Sequence, residues 1–278
     1  MPSPEVSVVV PVRDDARRLA VCLDALAGQQ GAPSYEVVVV DNGSTDDSLA
    51  VATAHPLQPR VLSESRRGSY AARNRGAAAA SGGVLAFTDA DCVPAPDWLA
   101  AGVRASASPV VGGDVRPARS AEATVWERYD RAVYLRQREL VEQQGFAATA
   151  NLWVRADAWA RVGPFDARLR SSGDLEWGRR ATALGLATVF AADVVVAHAP
   201  RTSVGETWRL HRRLGAGWRV LAARGEWPSL AADRAWRLSL GLVVDAVAAD
   251  GPPLRRRQLV PVHSVAMGAR LTGRLIGR

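Results

Sequence analysis

Lysine is absent from this 278-residue chain: all 35 basic residues are arginine, set against 28 acids for a net charge of +7. Arginine in place of lysine, with abundant alanine, is what GC-rich coding produces. The high pI therefore argues only weakly for a nucleic-acid partner, and none is expected. It suits a protein that handles phosphate-rich ligands or meets an anionic membrane. Cysteine is scarce too. Cys22 falls in a helical pattern and Cys92 beside two acids, which gives no sign of a disulfide framework. No run of about eighteen apolar residues occurs, and the N-terminus reads as lacking a basic-then-apolar leader. A cytoplasmic protein without a spanning helix is the expectation. Three signatures of other chemistries are missing as well. Without a G-x-G-x-x-G after the first strand or a G-x-x-x-x-G-K-[ST], a dinucleotide oxidoreductase and a P-loop NTPase are disfavoured. The serine elbow G-x-S-x-G is also missing.

What is present is an ordinary globular composition, 48% hydrophobic and 23% charged, long enough for one large domain or a domain with an appendage. Glu5 to Val12 is β-branched with almost no polar interruption, as in a strand buried on both faces. Ala16 to Gln30 carries Leu19, Cys22, Leu23 and Leu26 at helical spacing. Tyr35 to Val40 reads as a second buried strand and runs into Asp41-Asn42-Gly43-Ser44-Thr45-Asp46-Asp47. Ser44 with Asp47 three residues on is a capping-box pattern, which predicts a helix starting there. Strand–helix–strand–helix order implies a parallel sheet with right-handed crossovers, whose ligands bind at the carboxyl ends of the strands. Val12-Arg13, Asp41 and Asp89 to Asp91 all fall at such ends.

The central stretch is Val84 to Pro94. Val84 to Phe87 reads as a buried strand, and Asp89 and Asp91 follow at once. Two residues apart on an extended backbone, both carboxylates face the same way. A hard divalent cation bridging to phosphate oxygens satisfies such a pair; two solvated acids in a turn is the plainer alternative. Asp41 differs. Acids in the first turn of the helix after it repel phosphate. Asp41 therefore either reads a neutral group, such as a pyrimidine edge or sugar hydroxyls, or simply turns the chain. Ser65 to Gly76 has arginines before and inside a helix opened by Gly68-Ser69, running through four alanines to Gly82-Gly83. That is an anion-friendly site just ahead of the acidic strand end.

Five stretches in order, VSVVVPVRDDARRLAVCLDAL, EVVVVDNGSTDDS, RRGSYAARNRGAAAASGGVLAFTDADCVPAPDWL, ATANLWVRADAWARVGPFD and SGDLEWGRRATALG, resemble family 2 glycosyltransferases. The resemblance covers residues 6 to 200 or so. It implies an α/β chain of the GT-A fold, a single Rossmann-like, mainly parallel sheet flanked by helices. The implied domains are a catalytic one over 1–200, with a nucleotide-sugar half to about 115 and an acceptor half from about 116, then a helical C-terminal extension over 201–278. It further implies inverting sugar transfer from a nucleotide diphosphate sugar, by preference uridine-linked, with Mg2+ or Mn2+ on the diphosphate. Residue by residue, Pro11, Val12 and Arg13 match the first nucleotide-binding loop, with Arg13 where an aromatic is common. Asp41 matches the acid that contacts the base, and Arg73 and Asn74 the A-R-N segment near the nucleotide. Asp89 matches the acid near the donor ribose and Asp91 the metal ligand. Val111-Gly112-Gly113-Asp114 resembles the glycine-bearing loop near the donor sugar, or is an ordinary turn. Asp174 matches the Asp of an E-D segment and so the base, with Arg180 at the matching later position, but the Glu expected before it is Gly173. Glu176 competes as base, or serves the helix dipole or pairs with Arg179 or Arg180. His198 ends a strand where a late metal ligand is often supplied; a structural histidine is the alternative.

The chemistry is coherent on general grounds. One carboxylate, Asp174, takes a proton from an acceptor hydroxyl, while a metal on Asp91 and an arginine clamp stabilise the departing diphosphate. Beyond His198 the chain reads as helical through Trp218. Leu238 to Ala249 is apolar but too short to span. Pro252-Pro253 and Arg255 to Arg257 follow. Arg270, Arg274 and Arg278 recur at four-residue spacing among Val, Met, Leu and Ile. That pattern fits a basic amphipathic helix on an anionic membrane surface at the inner face of the cell membrane, or a helix packed on the protein or on a dimer partner. The acceptor, lipid-linked, saccharide or small molecule, is not legible. The alternatives in function are a sugar-nucleotide-binding partner subunit of weak activity and a nucleotidyltransferase-like enzyme on a similar sheet.

Overall fold

The computed structural model describes residues 3–118, 122–133, 135–225, 247 and 256–276. In chain order the elements are β1 (Val6–Val12), α1 (Ala16–Ala27), β2 (Tyr35–Asp41), α2 (Ser48–Ala54), β3 (Arg60–Ser63), α3 (Ser69–Ala79), β4 (Val84–Thr88), β5 (Cys92–Pro94), α4 (Trp98–Ala105) and β6 (Val110–Pro117). Then come α5 (Val125–Val133), α6 (Gln137–Gln144), β7 (Asn151–Arg155), α7 (Ala156–Val162), α8 (Gly173–Ala183), β8 (Thr188–His198), α9 (Val204–Ala223) and α10 (Arg256–Ile276). They divide into two compact units. The first holds residues 1–116, 137–168 and 173–199; the second holds 117–136, 169–172 and 200–278.

The first unit is built on one eight-stranded sheet in the order β3-β2-β1-β4-β7-β6-β8-β5. The valine runs of β1 and β2 are buried throughout their centres, as strands covered on both faces must be. β3, β2, β1 and β4 are mutually parallel, whereas β7 runs antiparallel to β4 and β6, and β5 antiparallel to β8. The register pairs Val12 with Asp41 and Asp41 with Ser63, so these three strands end level with one another. The β7 side is held by a buried asparagine. Asn151 Oδ1 accepts from the indole N–H groups of Trp98 (3.0 Å) and Trp153 (3.2 Å), and Nδ2 donates to the carbonyls of Asp114 (2.9 Å) and Val194 (2.8 Å).

Three expectations need correcting in this unit. The second helix begins at Ser48, not at Ser44, because Ser44 Oγ accepts from the Asp14 N–H and Asp46 accepts from the Ser48 N–H. The acids therefore precede its first turn. Asp89 to Asp91 is not extended: the Cys92 N–H bonds to the Asp89 carbonyl at 3.0 Å and closes a turn, and Pro94 lies in the strand that follows. Finally, Gly112 and Gly113 sit inside β6 and not in a loop. A Cβ on Gly112 would fall 2.7 Å from Ala147 and Val141, and one on Gly113 would meet Asn151 and the Val194 carbonyl. The atoms that need these glycines belong to the protein.

In the second unit, α5, α9 and α10 pack around Tyr129, Ala132, Val247, Leu259, Val262 and Ala266. Here Arg270 and Arg274 of the last helix are turned inward, against the expectation of a basic face laid on an anionic membrane. Arg270 and Arg274 are buried, 7% and 3% exposed, with Arg270 5.2 Å and Arg274 6.0 Å from the Trp218 ring. Arg270 Nε donates to His211 Nδ1 at 2.7 Å. Burial beside that cation pushes His211 down to about 2, so the ring stays a neutral acceptor. The solvent side of α10 instead carries Val260, Leu271, Leu275 and Ile276. Among the described residues no helix is long and apolar enough to cross a membrane. Leu238 to Ala249 other than Val247, Pro252-Pro253, Arg255 and Arg278 lie outside the described residues.

Candidate active site

The carboxyl ends of β1 and β2 are tied together first. The Val12 carbonyl, between Pro11 and the exposed Arg13, accepts from the Asn42 N–H at 2.9 Å. Asp14, held at a φ of 51°, accepts from the Thr45 N–H at 2.6 Å and from its hydroxyl at 3.0 Å. These bonds hold its carboxyl below the usual range. Asp41 is buried and accepts from the Gly43 and Ser44 N–H groups, each at 3.2 Å. Asn42, read from the sequence only as turning the chain with Asp41, staples this edge to the loop ahead of α3. Its Nδ2 donates to the Glu64 and Arg66 carbonyls, and its Oδ1 accepts from the Gly68 N–H at 2.7 Å.

Helix α3 supplies the next layer. Arg73 is buried, and its Nη2 donates to Asp89 Oδ1, while its Nε makes no hydrogen bond among the described residues. Asn74, one residue on, is bonded within the protein. Its amide donates to the Phe165 carbonyl at 2.8 Å and accepts the Phe165 N–H at 2.9 Å, which braces the loop before α8.

The two acids of the central turn part company. Asp89 goes to Arg73. Asp91 Oδ2 lies 3.5 Å from His198 Nε2 and 3.7 Å from Arg18 Nη1. The β5–β8 register pairs Cys92 with His198, which brings the histidine to this turn from far along the chain. Ligand atoms of Asp91, Cys92 and His198 all lie within 4.8 Å of one another. A carboxylate oxygen and an imidazole nitrogen suit Mn2+ or a similar divalent ion. Burial, next to Asp91 and Asp89, keeps the Cys92 thiol protonated and makes it the weakest of the three donors.

Asp174 stands in the first turn of α8. Its Oδ1 accepts from the Leu175 N–H at 3.0 Å and from the Tyr70 hydroxyl at 3.2 Å. Burial holds its carboxyl above the ordinary carboxylate value, opposed by the Leu175 N–H, the Arg73 charge and the Tyr70 hydroxyl. Glu176 is engaged elsewhere. It takes Arg180 Nε at 2.6 Å, and Arg180 also donates to the Val162 and Pro164 carbonyls at the end of α7. Of the two acids on this helix, Asp174 is the one without a cation on its carboxylate among these bonds.

Residues 7–167 match the family model described as glycosyl transferase family 2. The glycosyltransferase AglE of Haloferax volcanii is 39% identical over 222 residues, covering 77% of this chain and 73% of that protein. A PGL/p-HBAD biosynthesis glycosyltransferase of Mycobacterium bovis is 31% identical, covering 65% of this chain and 70% of that protein. Among solved structures, the mannosyltransferase PcManGT of Pyrobaculum calidifontis, in complex with GDP-Man and Mn2+, superposes with a TM-score of 0.62 at 24% identity, covering 98% of this chain and 85% of its own. Glucosyl-3-phosphoglycerate synthase of Mycobacterium tuberculosis gives a TM-score of 0.57 at 22% identity, covering 82% of each chain. The sheet and its flanking helices are thus the GT-A fold.

Proposed function

The chain belongs to glycosyl transferase family 2, and from that premise we propose that it is an inverting glycosyltransferase that draws on a nucleotide diphosphate sugar, by preference uridine-linked. Asp174 takes the proton of an acceptor hydroxyl. The oxygen forms a bond to the anomeric carbon as the bond to the diphosphate breaks, and the electron pair leaves with the nucleoside diphosphate. No covalent enzyme intermediate is needed. The raised carboxyl of Asp174 suits a base working near neutral pH. Asp41 would meet the nucleotide base beside Pro11, Val12 and Arg13. Arg73 fixes Asp89, the acid that would lie nearest the donor ribose. Asp91 and His198 would hold Mg2+ or Mn2+, which neutralises charge on the departing diphosphate.

The observation that carries the reading is the approach of His198 to Asp91 at 3.5 Å, through strand pairing between residues more than a hundred apart in sequence. Asp91 follows the carboxyl end of the parallel strand β4, where a diphosphate-bound cation belongs, and the antiparallel β8 brings the second donor to it. The test is a donor panel scored by nucleoside diphosphate release, with and without divalent metal, and the anomeric configuration of the product by NMR. Metal-dependent release with inversion is expected. No release from any donor would favour a sugar-nucleotide-binding partner subunit. Retained configuration would remove the direct displacement. PcManGT is named with GDP-Man and glucosyl-3-phosphoglycerate synthase with UDP-glucose, so the panel includes both nucleotides.

The second unit supports a peripheral contact with anionic lipid, which would bring the enzyme to a lipid-linked or other membrane-borne acceptor. Residues 207–225 and 256–278 contain no acid, and Arg209, Arg212, Arg213 and Arg219 of α9 are exposed. With the exposed Leu271, Leu275 and Ile276, that is a basic and apolar pair of helices.

A further inference from the structure

Tyr70, Arg73 and Asn74 stand at i, i+3 and i+4 on α3 and so share one face. Arg73 holds Asp89 and Asn74 holds the backbone of Phe165. Tyr70 reaches Asp174. Its hydroxyl donates to Oδ1 at 3.2 Å and accepts the Asp174 N–H at 3.3 Å. Its ring lies 5.5 Å from that of Phe165 and beneath the Arg73 guanidinium at 5.6 Å. The residue just before Asp174 is fitted to this ring. A Cβ on Gly173 would come 2.7 to 2.9 Å from three ring carbons of Tyr70, which leaves room only for glycine.

We propose that Tyr70 is a positioning residue for the base: its hydroxyl fixes one oxygen of Asp174 and aims the other at the acceptor, and Gly173 is the counterpart that lets its ring lie there. The proposal rests on the reading of Asp174 as the base. Both hydrogen bonds to the Asp174 side chain fall on Oδ1, and no described residue bonds to Oδ2. One oxygen is therefore clamped by a phenol and a helix N–H, and the other keeps its lone pairs for a hydroxyl. Tyr70 itself does not titrate in any working range. Burial pushes its phenol up, so it remains the donor. The cationic group facing Asp174 from α3 is Arg73, which also holds Asp89. One helix thus sets the base and the donor-side acid together. This explains why glycine stands where the family pattern expects Glu: at that position the protein has traded a side chain for close approach of an aromatic ring.

Tyr70→Phe keeps the ring against Gly173 and removes only the hydroxyl. The variant should melt with the wild type and bind the nucleotide diphosphate alone, by calorimetry, within about twofold. Its kcat should fall about tenfold or more, the scale of a hydrogen bond to a charged group. The acid limb of kcat should move to higher pH, since a bond that favours the ionised carboxyl is lost. A structural role would lower the melting temperature without moving that limb. Tyr70→Phe with unchanged kcat and an unmoved acid limb overturns the proposal. Should the variant fail to fold, 3-fluorotyrosine at position 70, a stronger donor of the same shape, decides: the limb must move to lower pH, and a fixed limb overturns the proposal. Asp174→Asn separates the two layers. If that variant keeps full transfer, the base reading fails and takes this proposal with it. If it is inactive while Tyr70→Phe behaves as wild type, only the positioning role falls.

Discussion

Replacing Asp174 by asparagine separates catalysis from stability in a way the site makes specific. The substitution is isosteric. The remaining carbonyl oxygen can still accept from the Tyr70 hydroxyl and the Leu175 N–H. Only the charge and the basic lone pairs are lost. Transfer should fall by at least about two orders of magnitude, the usual share of a positioned general base, while the nucleotide sugar still binds. Stability should move the other way. Burial raises the folded-state value of this carboxyl above 3.8. Between the unfolded and folded values the native state therefore holds more protons than the unfolded state, and stability falls as pH rises across that window. The cost is absent below the ordinary carboxylate value and complete above the raised one. Asparagine removes it. The melting temperature of Asp174→Asn should exceed that of the wild type at neutral pH, and the gap should close on acidification to about pH 3. Product formation and melting curves across that range measure both effects. Transfer within about tenfold of wild type would refute the base assignment. A neutral-pH melting temperature lower than wild type would refute the claim that burial of this charge is unfavourable.

Much of this site is legible in the order of the residues alone. β1 and β2 announce themselves because their valine runs favour a strand, and β4 because a short apolar run ends in two acids. Their acidic ends follow from the parallel order. What is not legible is set by single contacts between distant residues. Asp89 and Asp91 have the right chemistry, but whether they share a face depends on the Cys92 N–H bonding back to the Asp89 carbonyl. Gly112-Gly113 can serve a ligand or a neighbour equally well, and only the placement of Asn151 and Ala147 chooses. The four-residue spacing of Arg270 and Arg274 establishes that they share a helical face. It cannot say that the face points inward, because His211 and Trp218 lie on another helix. Tyr70 and Asp174 are 104 residues apart. Yet Gly173, the one departure from the family pattern at the base, is a signal that something large occupies the space of the missing side chain.

Asp91→Ala should leave the fold intact and cost more than about a hundredfold in metal-dependent turnover, the scale of one lost transition-state charge stabiliser; unchanged turnover in the folded variant would sink the metal assignment. Asn151→Leu strands two buried indole N–H groups and should cost about 2–6 kcal/mol in denaturant unfolding, so a loss under about 1 kcal/mol would show that water or repacking replaces the amide. The lipid contact is tested on the face the structure exposes. Leu271 and Leu275 are 42% and 62% exposed, so glutamate at both should leave the melting temperature alone. It should abolish sedimentation with anionic vesicles, and high salt should release the wild type, since each arginine near such a surface contributes on the order of 1 kcal/mol. Arg270→Gln should do the reverse. It removes a buried cation that donates to His211 and lies over Trp218, and so should lower the melting temperature while vesicle binding survives. Vesicle binding that depends on Arg270 and ignores Leu271 and Leu275 would mean that α10 turns its other side to the lipid, which the burial of Arg270 and Arg274 argues against.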